Sequence, residues 1–379
     1  MTVHVPEVVI AANTMPSMKG ENHYNAHSQP QQLAAMRSIP LVQQAAAHIG
    51  SNILHKLMKC TSDINNSDMS VTVVDYGSSQ GNNSINVIKS FIAQVRESSK
   101  LGELSIVIIH EDQPGNDWNA LFKTITCNMA TELNTSYMSD QYIHTLASPI
   151  GFYSAVVPNS TVDFGCSFAA MHWLSHVVAP INTHFDINCV KAGVEDDTVQ
   201  LWRDAAAADW LRLLTLRSKE LKSNGYLLIS CMSRDSAGDN GVQNLLNSMK
   251  KVLKRCVQMN IITVQQYKSI NSQLYTRSQV EILHGIKQLP SLELISFQQS
   301  NVSAQYYGEY MQHQDIKKYA VDTIEYLKAW FEPILMSALI DCEPSTVKSF
   351  WREMLQDCIR YPVQYHHHYV NAYVLCRKL

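Results

Sequence analysis

Two rings with polar tips, His172 and Trp173, stand side by side in the segment FAAMHWLS (168–175). The preceding segment TVDFGCS (161–167) alternates apolar and other residues, which is typical of a strand. The pair is therefore predicted to follow a strand end, where a loop or a helix begins. A buried His–Trp pair in a core is the more common arrangement, but neutral N–H donors at such a place are also suited to holding an anion.

A glycine-containing loop follows another predicted strand. The run DYGSSQGNN (75–83) begins with an acid, Asp75, and its glycines let a ligand approach the backbone just before a helix begins. Its spacing is not the G-x-G-x-x-G of dinucleotide sites, and Asp75 would repel a pyrophosphate but attract an ammonium group. The next strand ends in Glu111 and Asp112, where a carboxylate can accept both hydroxyls of a ribose. These groups favour S-adenosylmethionine, although an acid that caps a helix beside an empty glycine turn is the simpler alternative.

The elements that must position these groups alternate between strands and helices. Apolar residues on one face predict a helix over 84–95, and a second helix over about 198–222 is predicted to end at the C-cap signal Asn224-Gly225. Such alternation indicates an open α/β sheet with helices on both faces, closed by the last two strands as an antiparallel edge. The predicted strands are VTVVDYG (71–77), SIVIIHED (105–112), YIHTLAS (142–148), TVDFGCS (161–167), GYLLISC (225–231), LELISF (292–297) and YVNAYVLC (369–376).

Several more helical regions interrupt this alternation. We expect residues 50–235, completed by strands near 291–298 and 369–379, to form the cofactor-binding core. Residues 1–49, 236–290 and 299–368 are expected to form a helical cap over the carboxyl edge of the sheet, where open α/β proteins bind ligands.

Composition indicates a globular protein that stays in the cytoplasm. The 379 residues are 46% hydrophobic and 17% charged, with a net charge of −3 and no block of Lys and Arg, so we expect neither a nucleic-acid partner nor a membrane partner. No apolar run approaches the ~18 residues of a membrane span, and the N-terminus lacks a basic start of a secretory signal. The nine scattered cysteines contain no C-x-x-C, which favours reduced thiols and argues against a cysteine zinc site.

Five segments in their order along the chain resemble the SABATH methyltransferases, named for salicylate, benzoate and theobromine enzymes. They are MKGENHYNAHSQPQ (18–31), DYGSSQGNN (75–83), EDQPGNDWNALF (111–122), GFYSAVVP (151–158) and DFGCSFAAMHWLS (163–175). The patterns P-G-N-D-[FW]-N and [HM]-W-L-S are highly specific, and the resemblance continues into the last strand. It implies a Rossmann-like seven-stranded methyltransferase sheet with an inserted helical cap, and S-adenosylmethionine as methyl donor with S-adenosylhomocysteine as product.

The resemblance also implies roles for individual residues. Tyr24 and Ser28 match the family's segment S-Y-x-x-N-S, which closes over the cofactor, and Tyr24 and Ala169 are also expected to contact the substrate. Gln31 and Trp173 match the two donors that hold the substrate carboxylate, with His172 beside them. The other matching cofactor-binding positions are Asp75, Gly77, Ser78 and Asn83 in the first loop, Asp112 and Gln113 at the ribose and adenine, and Gly151 and Phe152 at the adenine ring.

Departures from the family pattern mark a divergent member. Ser78 stands where the family has a cysteine, and Asn82 where it has a proline. Gln113 replaces the usual leucine and Gly151 the usual serine. Ala169 replaces an aromatic residue that contacts substrate in several members, so the pattern leaves the identity of the substrate open.

The implied reaction is the conversion of a small organic acid, whether aromatic, terpenoid or dicarboxylic, to its methyl ester. A carboxylic acid with a pKa near ~4 is already ionised at neutral pH, so no side chain needs to act as acid or base. Gln31, His172 and Trp173 would only position the carboxylate for in-line transfer. The alternatives are an N-methyltransferase acting on a small heterocycle and a catalytically silent protein that binds a small acid or the cofactor. Relatives usually pair, so we also expect a homodimer.

Two further features could suggest a metal site, but neither has a complete set of ligands. His366 and His368 in YHHHY (365–369) would share a strand face but lack an evident third ligand. Ile270-Asn271 lacks an acidic partner, so no metal is expected. Arg234, after the fifth strand, would meet the second carboxylate of a diacid; an ordinary surface arginine is the preferred interpretation.

Overall fold

The computed structural model describes residues 17–59, 69–126, 137–178 and 196–379. Within these ranges the strands are β1 (Ser70–Tyr76), β2 (Ser105–Glu111), β3 (Ile143–Ser148), β4 (Val162–Phe168), β5 (Leu221–Arg234), β6 (Arg277–Ser278), β7 (Leu292–Ser303) and β8 (His368–Lys378). The helices are α1 (His23–His27), α2 (Gln29–Met36), α3 (Ile39–Lys59), α4 (Ile85–Ser99), α5 (Trp118–Thr126), α6 (Asp196–Glu220), α7 (Gln243–Gln258), α8 (Val264–Ser269), α9 (Gln279–Lys287), α10 (Gln305–His313), α11 (Ile316–Ala338), α12 (Pro344–Arg360) and α13 (Pro362–Tyr365).

The strands form one sheet in the order β3-β2-β1-β4-β5-β8-β7, and the short β6 pairs with the end of β5. All neighbours are parallel except β8, which runs antiparallel to both β5 and β7. This order reverses at β1, so the loops after β1 and β4 leave adjacent strands on the same edge, where open α/β sheets bind ligands. The predicted Rossmann-like sheet is confirmed, and its last two strands, β7 and β8, form the predicted antiparallel pair at one edge, with β7 outermost.

Helices cover both faces of the sheet because the side chains of each strand alternate between them. Val73 of β1 faces a hydrophobic cluster that includes Ile88 and Phe91 of α4, whereas Val74 faces a second cluster with Trp210 of α6. The ring of Phe91 stacks on Phe164 of β4 at 4.6 Å between centroids. The central strands are thus buried on both sides, which explains why they read as nearly continuous apolar runs.

A third and separate cluster joins α7, α11 and α12 with parts of α2 and α10. Its interior is aromatic: the ring of Phe331 lies 6.1 Å from that of Phe350 and 6.2 Å from that of Trp351. Ala34 of α2 and Trp173 belong to the same cluster. The segment that follows β4 therefore lies where the sheet meets these helices, which we call the cap. In the described ranges, none of the helices is both long and apolar enough to cross a membrane.

Two details differ from the sequence-based expectations. The helix predicted to end near 222 ends at Glu220, because Leu221 already pairs with Val162 in the sheet. Asn224 does adopt the left-handed conformation (φ 65°), but inside β5, at the point where the register with β4 shifts. Residues 41–49 of α3, expected in the cap, pack into the cluster on one face of the sheet. The division of the chain into separable core and cap domains stays a prediction.

Candidate active site

The loop between β1 and α4 turns on two glycines in the left-handed conformation, Gly77 (φ 74°) and Gly81 (φ 87°). A Cβ on Gly77 would lie 2.4 Å from the Cβ of Ala170, so only glycine lets the loop pack against the segment after β4. The N–H groups of Gly77 and Ser78 both donate to the backbone carbonyl of Glu111 at 2.9 Å. These bonds fix the backbone of the loop, while the Ser78 hydroxyl is buried without a hydrogen-bond partner among the residues that the structure describes. An orphaned hydroxyl beside a glycine turn suits a polar ligand such as the predicted cofactor.

Asp75 is buried at the end of β1 and its carboxylate is engaged within the protein. Its Oδ2 accepts a hydrogen bond from the Ser84 hydroxyl at 2.6 Å and lies 3.1 Å from Nδ1 of His110. The other ring nitrogen of His110 lies 2.7 Å from the Tyr137 hydroxyl. The contact between Asp75 and the ammonium end of the cofactor stays a prediction, and it has to share this carboxylate with two protein groups. His110 was not predicted as a site residue, since a single histidine in an apolar strand carries no spacing signal.

Glu111 and Asp112 close the other side of the loop. Glu111 Oε2 accepts from the N–H of Gly77 at 3.0 Å, and its Oε1 is buried without a partner. The two oxygens of Asp112 accept from the backbone N–H groups of Ser79 and Gln113, each at 2.7 Å. Desolvation raises the pKa of Asp112 to about 6, and burial next to Asp112 raises the pKa of Glu111 well above its ordinary value. The loop is therefore bordered by carboxyl groups whose oxygens can accept hydrogen bonds from hydroxyl groups.

The N-terminal segment folds onto this loop through side-chain amides. Nδ2 of Asn83 donates to the Tyr24 hydroxyl at 3.3 Å, and Oδ1 of Asn83 accepts from the Ser28 hydroxyl at 3.1 Å. Asn25 adds a bond from its Nδ2 to the backbone carbonyl of Gln80 at 2.9 Å. The structure thus brings together Tyr24, Ser28 and Asn83, three residues that the sequence assigned to cofactor binding.

The residues expected at the adenine ring lie around the same loop. Phe152 packs against Gly77, where its Cε1 is 3.5 Å from the position of an added Cβ. Gly151 has φ 86°, and an added Cβ would meet no atom within 4 Å, so the backbone angle alone favours glycine there. Gln113 is partly buried directly after Asp112. Their roles toward adenine stay predictions.

A cavity opens between the end of β4, α2 and the cap. All five residues assigned to the substrate line it, namely Tyr24, Gln31, Ala169, His172 and Trp173. Most of the remaining wall is apolar and comes from the cap, including Val242, Leu245, Leu246 and Leu274. Among the described residues that line the cavity, none is Lys, Arg, Asp or Glu. An anion in this cavity would therefore be held by neutral groups.

His172 is neutral and its tautomer is set by the backbone of β5. The N–H of Met232 donates to Nδ1 of His172 at 3.4 Å, so the ring proton is on Nε2, which can donate. Desolvation, and secondarily the nearby Arg277, lower the pKa of His172 to about 3. The ring is therefore a weak base at neutral pH and serves as a hydrogen-bond donor.

The segment that carries His172 and Trp173 is held on several sides. It leaves β4 through Ala169, whose φ of 55° is unusual for a residue with a Cβ and places local strain at the cavity wall. The Tyr153 hydroxyl donates to the backbone carbonyl of Trp173 at 2.7 Å, and a two-residue bridge joins Trp173 to Leu274. These contacts fix the backbone that aims both rings at the cavity.

Three polar atoms in the cavity wall have no hydrogen-bond partner among the described residues. They are Oε1 of Gln31, Nε1 of Trp330 and the hydroxyl of Tyr369, and all three are buried. Because buried polar groups are nearly always paired, such atoms point to ligand contacts. Gln31 was expected from the sequence, whereas Tyr369 was not, because β8 reaches the cavity only through the tertiary fold. Arg234, considered for a second carboxylate, instead forms an ion pair with Glu281 at 2.6 Å.

Comparison with known proteins agrees with this geometry. A family model described as SAM dependent carboxyl methyltransferase matches residues 12–378. Methyltransferase FUS9 of Gibberella fujikuroi is 27% identical over 268 residues, which are 70% of this chain and 65% of that protein. Indole-3-acetate O-methyltransferase 1 of Arabidopsis thaliana is 24% identical over 252 residues, or 62% of this chain and 61% of that protein. The matched regions thus span somewhat less than two thirds of these two relatives.

A solved structure has the same fold. Loganic acid methyltransferase, determined with S-adenosylhomocysteine, superposes with a TM-score of 0.70 over 96% of this chain and 98% of that chain, at 17% sequence identity. The family model covers nearly the whole chain, and the identities to individual relatives are low. The chain therefore belongs to the S-adenosylmethionine-dependent carboxyl methyltransferases, as a divergent member of the SABATH family.

Proposed function

We propose that the chain methylates the carboxylate of a small, largely apolar organic acid and releases its methyl ester. The observation that carries this proposal is the cavity, in which Gln31, His172 and Trp173 offer neutral polar groups and no charged side chain lines the described wall. A cationic partner would stabilise the carboxylate and weaken it as a nucleophile, whereas neutral donors orient it at a smaller cost in reactivity.

The residues around the loop fit the methyl donor. Asp112 and Glu111 present carboxyl oxygens for ribose hydroxyls, and the buried Ser78 hydroxyl and Glu111 Oε1 lack partners among the described residues. Tyr24 and Ser28, bonded to Asn83, would cover the donor from above. S-adenosylmethionine supplies an electrophilic methyl group when bound. The carboxylate oxygen would form a bond to that methyl carbon as the carbon–sulfur bond breaks and leaves its electron pair on sulfur, so no proton would have to move and the chain would need no general base.

The cavity also narrows the class of acid. Its apolar wall supports aromatic or terpenoid acids, and a second ionised carboxylate would find no cation among the described lining residues, since Arg234 is paired with Glu281. The names of the two relatives specify indole-3-acetate and loganic acid, both carboxylic acids. Methylation of a ring nitrogen would often require a base, and His172, with a pKa of about 3, is too weak for that role near neutral pH. We therefore prefer a monocarboxylic acid.

The test is incubation with S-adenosylmethionine and a panel of acids, with methyl esters detected by mass spectrometry. The panel contains benzoates, cinnamates, indole acids, terpenoid acids and short diacids, with xanthines as the nitrogen substrates. Esters of apolar monoacids are expected. Methylated xanthines would instead favour the N-methyltransferase, and no product despite tight S-adenosylhomocysteine binding would favour the catalytically silent binding protein.

We further propose, from the family resemblance and the absence of charge bias, that the protein is a cytoplasmic homodimer. Its mass in solution, measured by light scattering after size-exclusion chromatography, tests the dimer, and imaging of a tagged full-length chain tests the location.

A further inference from the structure

Two histidines at the ends of α1 meet a glutamate of the cap. The rings of His23 and His27 lie 4.4 Å apart between centroids. Nε2 of His23 is 3.6 Å from Oε2 of Glu325 on α11 and donates to the Glu325 backbone carbonyl at 3.1 Å. One nitrogen from each histidine and one carboxylate oxygen of Glu325 all lie within 4.8 Å of one another. Three metal-ligating groups thus converge from two elements that are far apart in the sequence.

We propose that His23, His27 and Glu325 bind one divalent transition-metal ion, with Zn²⁺ the best match. Residues four apart on a helix project from the same face, so a single ion can reach both imidazoles. Two histidines and one carboxylate are a common zinc ligand set, which leaves a fourth position for water. The three side chains are partly exposed, so an ion from solvent can reach them and the rings can turn to shorten the distances.

The surroundings hold these ligands in place before an ion binds. The backbone N–H of Lys19 donates to the carbonyl of Ala329 at 3.0 Å, and Lys19 Nζ pairs with Glu332 at 2.8 Å, which ties the N-terminal segment to α11. Lys328 pairs with Oε1 of Glu325 at 2.7 Å and leaves Oε2 facing His23. A preplaced set of ligands lowers the ordering cost of binding.

The positions of the histidines are also informative. In the family segment S-Y-x-x-N-S, His23 replaces the first serine and His27 replaces the asparagine, so both ligands are departures of this chain from the pattern. Tyr24 and Ser28, which flank them, hold Asn83 of the cofactor loop. An ion that joins α1 to α11 would keep this segment closed, and this consequence, unlike metal binding itself, rests on the proposed function.

Metal binding is tested on the full-length protein after treatment with a chelator. Titration with Co²⁺ is followed by its visible absorption and then reversed with Zn²⁺, and calorimetry gives the stoichiometry. The site variant is His23→Ser with His27→Asn, which restores the family residues. The control variant is His55→Asn with His313→Asn, which removes two exposed histidines elsewhere. We expect one ion per chain in the wild type and control, and at least about 100-fold weaker binding in the site variant.

Equal Zn²⁺ affinity in the site and control variants, or no stoichiometric Co²⁺ spectrum in the wild type, would overturn the proposal. Glu325→Gln keeps the size of the side chain and should also weaken binding at least tenfold if the carboxylate is a ligand. Unfolding curves of all variants without metal establish that each is folded. The rate of S-adenosylhomocysteine release with and without Zn²⁺ is measured separately: Zn²⁺ is expected to slow release in the wild type and the control variant but not in the site variant. A protein that binds Zn²⁺ but no S-adenosylhomocysteine would refute the proposed function and leave the metal site standing.

Discussion

The candidate site has two ends that differ in charge. The cofactor end, around the β1–α4 loop, is rich in carboxyl groups, whereas the substrate end, the cavity lined by Gln31 and Trp173, has no charged side chain in its described wall. Asp75, Glu111 and Asp112 come from the ends of two adjacent strands and lie around the loop. Across the segment after β4, the described cavity wall is built from apolar, aromatic and amide side chains. The cationic reactant and the anionic reactant of the proposed reaction would thus enter different electrostatic surroundings.

Both ends keep buried polar atoms without partners among the described residues. Around the loop these atoms are the Ser78 hydroxyl and Oε1 of Glu111, although Asn83 already bonds to Tyr24 and Ser28. In the cavity they include Oε1 of Gln31 and the Tyr369 hydroxyl. We infer that each end gains hydrogen bonds when its own ligand binds, and that the two ends differ in charge.

Removing the neutral donors should have the largest effect. In the double variant Gln31→Leu, Trp173→Phe, a bound carboxylate loses two hydrogen bonds that contribute about 1.5–3 kcal/mol each when the acceptor is charged. We expect kcat/KM for the preferred acid to fall by about 100-fold or more, measured from initial rates of ester formation. The affinity for S-adenosylhomocysteine should stay within about twofold, because the cofactor end is untouched.

Trp351→Phe serves as the matched control, since this tryptophan lies in the cap cluster and does not line the cavity. A double variant with wild-type kcat/KM would show that other groups hold the carboxylate.

The variant Asp112→Asn tests the cofactor end. An amide offers only one acceptor oxygen where the carboxylate offers two, so the ribose hydroxyls and the loop N–H groups compete for it. We expect the Kd for S-adenosylhomocysteine, measured by calorimetry, to rise by about 30- to 100-fold, which corresponds to about 2–3 kcal/mol. Asp341→Asn, at an exposed position of the cap, should change nothing. Unchanged binding in Asp112→Asn would remove Asp112 from the cofactor site.

The same carboxylate predicts a pH dependence with a definite sign. Desolvation raises the pKa of Asp112 to about 6, so the group becomes protonated as pH falls through that value in the folded protein. At pH 5 only about a tenth of it would be ionised, and affinity for S-adenosylhomocysteine should be about tenfold lower than at pH 7.5. The binding curve of Asp112→Asn should lack this step. A wild-type affinity that rises with acidity would contradict the assignment.

The strands and the loop were predictable because their signals are local. Each signal lies within a few consecutive residues: the apolar run before Asp75 predicts a strand, and the glycines of 75–83 and the motif around Asp112 predict the cofactor end. The predicted substrate residues Gln31 and Trp173 do line one cavity, and here the family motif supplied what periodicity alone could not.

Other contacts in the site depend on packing between elements that are far apart in the sequence, so no local sequence pattern predicts them. His110 turns toward Asp75 only because β1 and β2 pair in one register. Glu325 meets His23 and His27 across about 300 residues of sequence through the docking of α1 on α11. Tyr369 reaches the cavity because β8 lies beside β5. Their relevance could be read only once the tertiary structure was known.

The smallest expected effect concerns Tyr369 at the substrate end, and Tyr365 is its matched control. Both rings are buried, but the Tyr365 hydroxyl donates to Asp357 at 3.2 Å, whereas the Tyr369 hydroxyl has no partner in the part of the chain that the structure describes. An unpaired buried hydroxyl costs stability and a paired one adds it. We therefore expect Tyr365→Phe to lower the free energy of unfolding by about 1–2 kcal/mol, and Tyr369→Phe to leave it unchanged or raise it by up to about 1 kcal/mol, measured by denaturant titration.

Activity measurements then distinguish a Tyr369 hydroxyl that contacts the acid from one that does not. If a hydroxyl or keto group of the acid bonds to Tyr369, kcat/KM for that acid falls about fivefold to tenfold in Tyr369→Phe, while the value for an analogue without that group stays the same. A loss of stability in Tyr369→Phe equal to that in Tyr365→Phe would show that the hydroxyl is satisfied within the protein. The Tyr369 hydroxyl would then not be free to bind the acid, and recognition in the cavity would fall to its other uncharged polar groups.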